Sequence, residues 1–284
     1  MTPFRAIEAQ SLAGGEVNED AFGATFDVLV AVDGATGLSG RHQIGVGSDA
    51  QWFANNLAQD ILMLAADRHR SLPQVLDAAL DRCRARLRRM QVPLEGFASA
   101  SVAVARLGAE HLEFVSVGDC TALLTMVDGR VERIADGAVA KLDDRVVRAA
   151  VDLAARERIS VREAIGKQSA LLKRHRALRN RQGGYWIAEP NGTAVDHATA
   201  RRFPISEVSE VALLTDGFAA VHDLTRQVEG WRELAELLAA GAGGRLMREL
   251  RTALQRDTDF SAFPRLKEVD DSTFVRGNVQ ALLH

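Results

Sequence analysis

Two apolar runs in this chain stop on the same dipeptide. The run DVLVAV at 27–32 leads into Asp33-Gly34, and VALLT at 211–215 leads into Asp216-Gly217. A short continuous apolar run bounded by turn residues reads as a buried strand, and Asp-Gly after it reads as the turn that ends it. A further carboxylate, Asp270, stands just before the stretch Ser272–Val275, and Glu19-Asp20 stand just before the segment 21–26. Each motif puts a short acid at the end of a strand. One Asp-Gly is ordinarily only a turn; four such sites in one chain suggest converging strand ends. Carboxylates crowded in that way raise one another's pKa and destabilise the fold unless a cation neutralises them. Hard divalent cations such as Mg²⁺ and Mn²⁺ take oxygen ligands. Two of them about 4 Å apart can hold a water, lower its pKa and direct it at phosphorus.

The order of the remaining segments limits the fold class. Strand-like segments are expected at 4–10 and 21–32. Ser48 then caps a helix whose apolar face is Trp52, Phe53, Leu57, Ile61 and Leu64. A second helix is expected from Pro73 to Met90, with Leu76, Ala79, Leu80, Cys83 and Leu87 on its apolar face. Strands follow at 98–107, 111–117, 121–127 and 131–134, joined by tight turns, as in an antiparallel sheet. Gly183–Ile187 reads as a turn into a short strand, helices are expected near 229–240 and 244–256, and a last strand at 272–275. Strands, then two helices, then strands indicate α+β layers rather than a regular βαβ alternation.

The stretch 141–182 stands apart, with twelve basic residues against five acidic ones in a chain whose net charge is −3. It reads as one or two helices broken near Ser160. It is either a solvated helical face or a basic flap that attracts anionic substrates. The overall charge balance argues against a dedicated nucleic-acid binder. No apolar stretch reaches the roughly 20 residues needed to span a bilayer, and the N-terminal residues lack a signal-peptide pattern, so a cytoplasmic protein is expected. Two cysteines, Cys83 and Cys120, are too few for a thiolate zinc cluster and suit a reducing compartment. Gly45–Ala50 fits a loose dinucleotide fingerprint, but no strand precedes it, so it reads as a loop and helix cap. Nucleotide-loop, zinc-protease and nucleophile-elbow motifs are absent from the sequence.

Taken in order, NEDAF at 18–22, LVAVDGATG at 29–37, SASVAVARL at 99–107, VSVGDC at 115–120, VALLTDGF at 211–218 and VDDSTFV at 269–275 resemble the motif series of the metal-dependent protein phosphatases of type 2C. The resemblance covers nearly the whole chain. It implies a single domain over 1–284 with a basic helical flap at about 141–182. The implied fold is α+β: two antiparallel β-sheets packed as a sandwich and flanked by antiparallel helix pairs. A two-ion Mn²⁺ or Mg²⁺ site would lie at one edge. Carried over by position, Asp33 bridges both ions, Gly34 offers its carbonyl, and Asp216 and Asp270 bind one ion. Glu19 and Asp20 bind the other, directly or through water, and Asp119 matches an acid tied to a weaker third site. Asp33 and Asp20 are thereby the catalytic candidates.

Three positions depart from the pattern. Gly15 stands where such phosphatases carry a phosphate-gripping arginine, Ala35 where they carry a histidine, and Ala220 where they carry a further acid. A substitute arginine is expected, either Arg41 after the Asp-Gly motif or one from the flap. Arg179 is favoured because it sits beside Asn180, ahead of the Gly-Gly turn. His42 and His175 fall near the expected site. The implied activity is metal-dependent hydrolysis of phosphomonoesters, chiefly phosphoserine and phosphothreonine proteins. A non-catalytic phosphoprotein-binding module and a small-molecule phosphatase are the alternatives.

Overall fold

The computed structural model describes residues 3–37, 42–44 and 47–279. Three strands open the chain, β1 (Phe4–Leu12), β2 (Asp20–Ala24) and β3 (Val28–Ala35), followed by helices α1 (Asp49–Leu64) and α2 (Leu72–Arg89). Ser48 caps α1 by accepting from the Gln51 amide at 3.0 Å. Strands β4 (Ser99–Leu107), β5 (His111–Val117), β6 (Thr121–Met126) and β7 (Val131–Ile134) come next. The basic segment forms α3 (Ala138–Glu157), α4 (Val161–Gly166) and α5 (Ser169–Arg176). The expected break is present: Arg158 turns left-handed, and Ser160 caps α4 through the Glu163 amide. The remainder comprises β8 (Thr199–Pro204), β9 (Val208–Leu214), α6 (Asp216–Asp223), α7 (Trp231–Ala239), α8 (Gly243–Arg256) and β10 (Ser272–Val279).

The strands form two five-stranded antiparallel sheets, ordered β1-β10-β9-β6-β7 and β2-β3-β4-β5-β8. The strict alternation of side chains decides how they stack. Val28, Val30 and Val32 of β3 turn outward into one core with α1 and α2, whereas Leu29 and Ala31 turn inward. There they meet Ala103 and Ala105 of β4, Ala122 and Leu124 of β6, Val211 and Leu213 of β9, and Val275 of β10. The other faces of β9 and β10, carrying Leu214 and Phe274, pack under α6, α7 and α8. The result is the expected sandwich with helices on both outer faces.

Four local readings change. The Asp-Gly at 33–34 does not follow its strand but lies within β3, paired across to Ser101 and Ala100. Asp216-Gly217 is not a turn but the first turn of α6, a place where the helix dipole favours an acid. No apolar period marked β8; it is an edge strand with Arg201 and Arg202 exposed, the usual dress of a sheet edge. The strand expected at 185–187 reduces to isolated bridges at Tyr185 and Ala188. Among the described residues no helix is long and apolar enough to cross a membrane.

Leu29 is fully buried between the sheets. Leu29→Ala should cost about 2–5 kcal/mol, read as a lowered urea midpoint at unchanged m-value.

Candidate metal centre

At one end of the inter-sheet layer the apolar residues give way to polar ones. On β3 the inward series Leu29, Ala31 continues to Asp33, and on β4 the series Ala105, Ala103 continues to Ser101 and Ser99. Beyond Leu213 of β9 comes Thr215, and ahead of Val275 of β10 comes Thr273, both fully buried. Asp20 stands opposite Asp33 in the β2–β3 register. The Asp20 carboxylate accepts from the Thr215 hydroxyl at 2.9 Å, while the Thr273 amide donates to the oxygen of that hydroxyl at 3.0 Å. The Ser101 hydroxyl donates to Asp119 at 2.5 Å. Asp271 accepts the amides of Gly14 and Glu19, each at 2.7 Å, and so ties the approach to β2 to the approach to β10.

Glycine is required at two of these points because backbones touch. A Cβ on Gly34 would stand 2.4 Å from the Glu19 carbonyl oxygen, and one on Gly217 would stand 1.9 Å from that of Asp271.

These ends surround a cavity of about 430 Å³. Asp33, Asp119, Asp216 and Asp270 line one side. Val139, Leu142 and Val147 of α3 and Leu172 of α5 line another, and His175, Arg176 and Arg179 bring basic groups. Asp216 opens onto the cavity, although protein surrounds it. Burial holds the Asp33 carboxyl well above the usual carboxylate range, with Asp216, Asp20, Asp119 and Asp270 adding to the rise. Burial also pushes Asp216 up to about 7, with Asp270 and Asp119 adding and Lys267 opposing. Asp20 is pushed up to about 8 by burial, against the hydrogen bonds of Thr273 and Thr215. Asp119 is raised by burial and held back by Ser101.

Of the residues singled out in the sequence, Asp33, Gly34, Asp119, Asp216, Asp270 and Arg179 line this cavity. Asp20 and Glu19 are not among the lining residues; Asp20 accepts from Thr215, and the Glu19 carboxylate lies 3.3 Å from the hydroxyl of Thr36, which does line the cavity. Arg41 lies outside the described residues. The Arg179 guanidinium is already held, with Glu189 at 2.5 Å and the Ser99 hydroxyl at 3.1 Å. His42 is exposed and is not among the lining residues.

Several charged residues of the cavity were not expected, among them Lys267 and Asp143. Lys267 places its ammonium 2.6 Å from Asp270, and although burial alone would lower its affinity for its proton, Asp270, Asp216 and Asp33 raise it. Asp143 of α3 is pushed up to about 6 by burial and by Asp216, against Arg176 and Lys267. No pattern marks either one. Lys267 sits in an irregular loop, and Asp143 is one acid inside a basic segment.

The profile of the protein phosphatase 2C family matches residues 9–255. The chain belongs to the protein phosphatase 2C family. Among solved structures it resembles the serine/threonine phosphatase Stp1 from Staphylococcus aureus, at 15% identity and a TM-score of 0.58, covering 99% of this chain and 98% of that one. The Mycobacterium tuberculosis serine/threonine phosphatase PstP/Ppp is 16% identical, with a TM-score of 0.56 and coverage of 97% and 98%. A structure of the catalytic domain of the phosphatase PstP in complex with two manganese ions is 17% identical, with a TM-score of 0.52 and coverage of 99% and 100%. No curated protein matches the chain. Two of the departures from the family pattern, Ala35 and Ala220, fall on the cavity wall.

Among the described residues no three Asp, Glu, His or Cys side chains are gathered as a ready-made metal site. The donor chemistry nevertheless fits hard divalent ions. The acidic side offers only oxygen ligands, and its carboxylates are destabilised by the negative charge that a cation would cancel.

The metal-free protein should therefore depend on pH in a defined direction. Asp20, Asp216 and Asp143 hold protons in the folded state up to about 8, 7 and 6, whereas unfolded aspartates release theirs near about 4. The folded state binds the extra protons in this window, so these groups lower stability as pH rises from about 4 to about 8. Thermal scans in EDTA should show the midpoint falling over that range. Asp33→Asn should raise the midpoint most at the alkaline end, and saturating Mn²⁺ should offset the loss in the parent.

Proposed function

We propose that this chain is a metal-dependent phosphomonoester hydrolase acting on phosphoserine and phosphothreonine in proteins, with Mn²⁺ or Mg²⁺ as its ions. The observation that carries the reading is the set of aspartates, Asp33, Asp119, Asp216 and Asp270, that lines one cavity together with the basic groups His175, Arg176 and Arg179. Asp33, Asp216 and Asp270 would hold the ions together with the Gly34 carbonyl and Asp20. Glu19 would contribute through water, and Asp119 would serve a weaker third position. Bound ions supply an activated water and screen the charge of the phosphate.

The chain's own residues have separable tasks. Asp33 would supply carboxylate oxygens to the ions, whose bound water would be the nucleophile. Asp20, held by Thr215, backs Asp33 from the second strand. Arg179 offers phosphate a planar guanidinium with five N–H donors, of which Glu189 and Ser99 take part. Arg41 is the other candidate for that task. The cavity volume and the apolar faces of α3 and α5 also suit a small phosphomonoester, and this is the second reading. A binding module without catalysis is the third, and the absence of Mn²⁺-dependent turnover would establish it.

Hydrolysis of p-nitrophenyl phosphate and of phosphoserine peptides with and without Mn²⁺ tests the assignment. Mn²⁺-dependent turnover is expected on both, and Asp33→Asn should abolish it. Retention of activity in that variant would refute the two-ion reading. Arg179→Ala should lower kcat/KM by the worth of a charge-assisted hydrogen bond, about 1.5–3 kcal/mol, with Mn²⁺ affinity unchanged. Glu189 keeps Asn180 and Asn191 as partners in that variant, so the fold should survive.

A further inference from the structure

Loss of a seryl or threonyl oxygen from phosphorus needs a proton, because an alkoxide is a poor leaving group. In an in-line displacement the attacking water and the leaving oxygen stand on opposite faces of phosphorus. The proton donor must therefore face the carboxylates across the bound phosphate. Four candidates line the cavity: Lys267, Tyr185, Asp143 and His175. Lys267 is committed to Asp270, on the acidic side. Tyr185 is raised by burial and yields its proton less readily than an ordinary phenol. Asp143, pushed up only to about 6, is largely ionised at neutral pH and has no proton to give.

His175 differs from all three. It lies in the last turn of α5, next to Arg176, among the basic groups of the cavity. Its Nδ1 is buried with no hydrogen-bond partner. A buried ring nitrogen left unpaired calls for an explanation. The unpaired nitrogen leaves the ring a polar atom to offer a bound ligand. Ala35, facing the same cavity, offers no proton-carrying group.

We infer that His175 is the general acid of the reaction, carried on the flap rather than on the sheet. The inference rests on the phosphatase reading above. The oxygen of the attacking water bonds to phosphorus and the bond to the seryl oxygen breaks. The bonding pair goes to that oxygen, which takes the imidazolium proton and departs as the alcohol. The water's surplus proton passes to solvent, from which the imidazole is recharged, so one water is consumed and nothing else.

Leaving-group dependence separates this role from a structural one. p-Nitrophenolate departs without a proton, whereas a seryl oxygen does not. With saturating Mn²⁺, His175→Ala and His175→Asn should lower kcat on a phosphoserine peptide by about 10²- to 10⁴-fold and leave kcat on p-nitrophenyl phosphate within about threefold of the parent. Free imidazole should restore part of the peptide rate to His175→Ala. The Mn²⁺ affinity of both variants, titrated calorimetrically, should equal that of the parent. Equal losses on the two substrates, no loss on either, or a fall in Mn²⁺ affinity that parallels the rate would overturn the role of His175. A parent protein with no Mn²⁺-dependent turnover of either substrate would overturn the phosphatase reading, and this inference with it.

Discussion

Negative charges held close together in a poorly solvated place repel one another, and this constraint orders the rest of the molecule. The inter-sheet layer is apolar until its last residues, where Asp33 and its neighbours replace Leu29 and Ala31 in the same alternation. Burial and mutual repulsion raise Asp33, Asp216, Asp119 and Asp20 together. Such an arrangement lowers stability unless something else stabilises it. A fold keeps that kind of strain where it serves a ligand.

The scaffold resists the repulsion with short, specific ties. Thr215 and Thr273 cross-link the ends of β9 and β10 and present a hydroxyl to Asp20. Asp271 grips two amides of the segment ahead of β2. The loop before β10 is rigid because Arg265 is buried within it, bonding Asp257 at 2.7 Å and the carbonyls of Leu254, Phe263 and Glu268. That loop delivers Lys267 to Asp270. One ammonium offsets part of the negative charge gathered there and leaves most of it in place. The same loop holds the flap, since the Arg162 amide donates to the Asp259 carbonyl at 3.0 Å and its guanidinium meets Glu268 at 2.7 Å.

Much of this was legible in the residues because burial writes itself into the pattern. Strands β3, β4 and β9 are apolar runs since both their faces are covered, and α1 and α2 announce themselves by period and cap. The motif order then exposed the acids. What escaped depends on partners remote in sequence. β8 is an edge strand and carries arginines where a central strand would carry valines. α6 begins on the Asp-Gly that elsewhere reads as a turn, and its helical start rests on Thr215 and on contact with Asp271. Glu19 shares a motif with Asp20 but is not among the lining residues; its carboxylate accepts from Thr36 at the cavity rim. A two-residue pattern cannot say which of two adjacent side chains follows the strand's inward face. Lys267 and Asp143 escaped because their meaning comes only from what folds against them.

The flap is therefore more than a basic lure. Its excess of positive charge is mostly on exposed faces, where Lys167 meets Glu157 and Arg148 meets Asp144, pairs worth little individually. Toward the cavity the same segment is mixed. α3 contributes the acid Asp143 beside apolar Val139, Leu142 and Val147, and α5 contributes Leu172, His175 and Arg176. Acidic and basic groups of the flap therefore face the same cavity. The small core of Ala150, Ala154 and Ala164 packs α3 against α4. The flap thus meets the sheet ends both through Arg162, which is tied to the loop before β10, and through Arg179, which donates to Ser99 on β4.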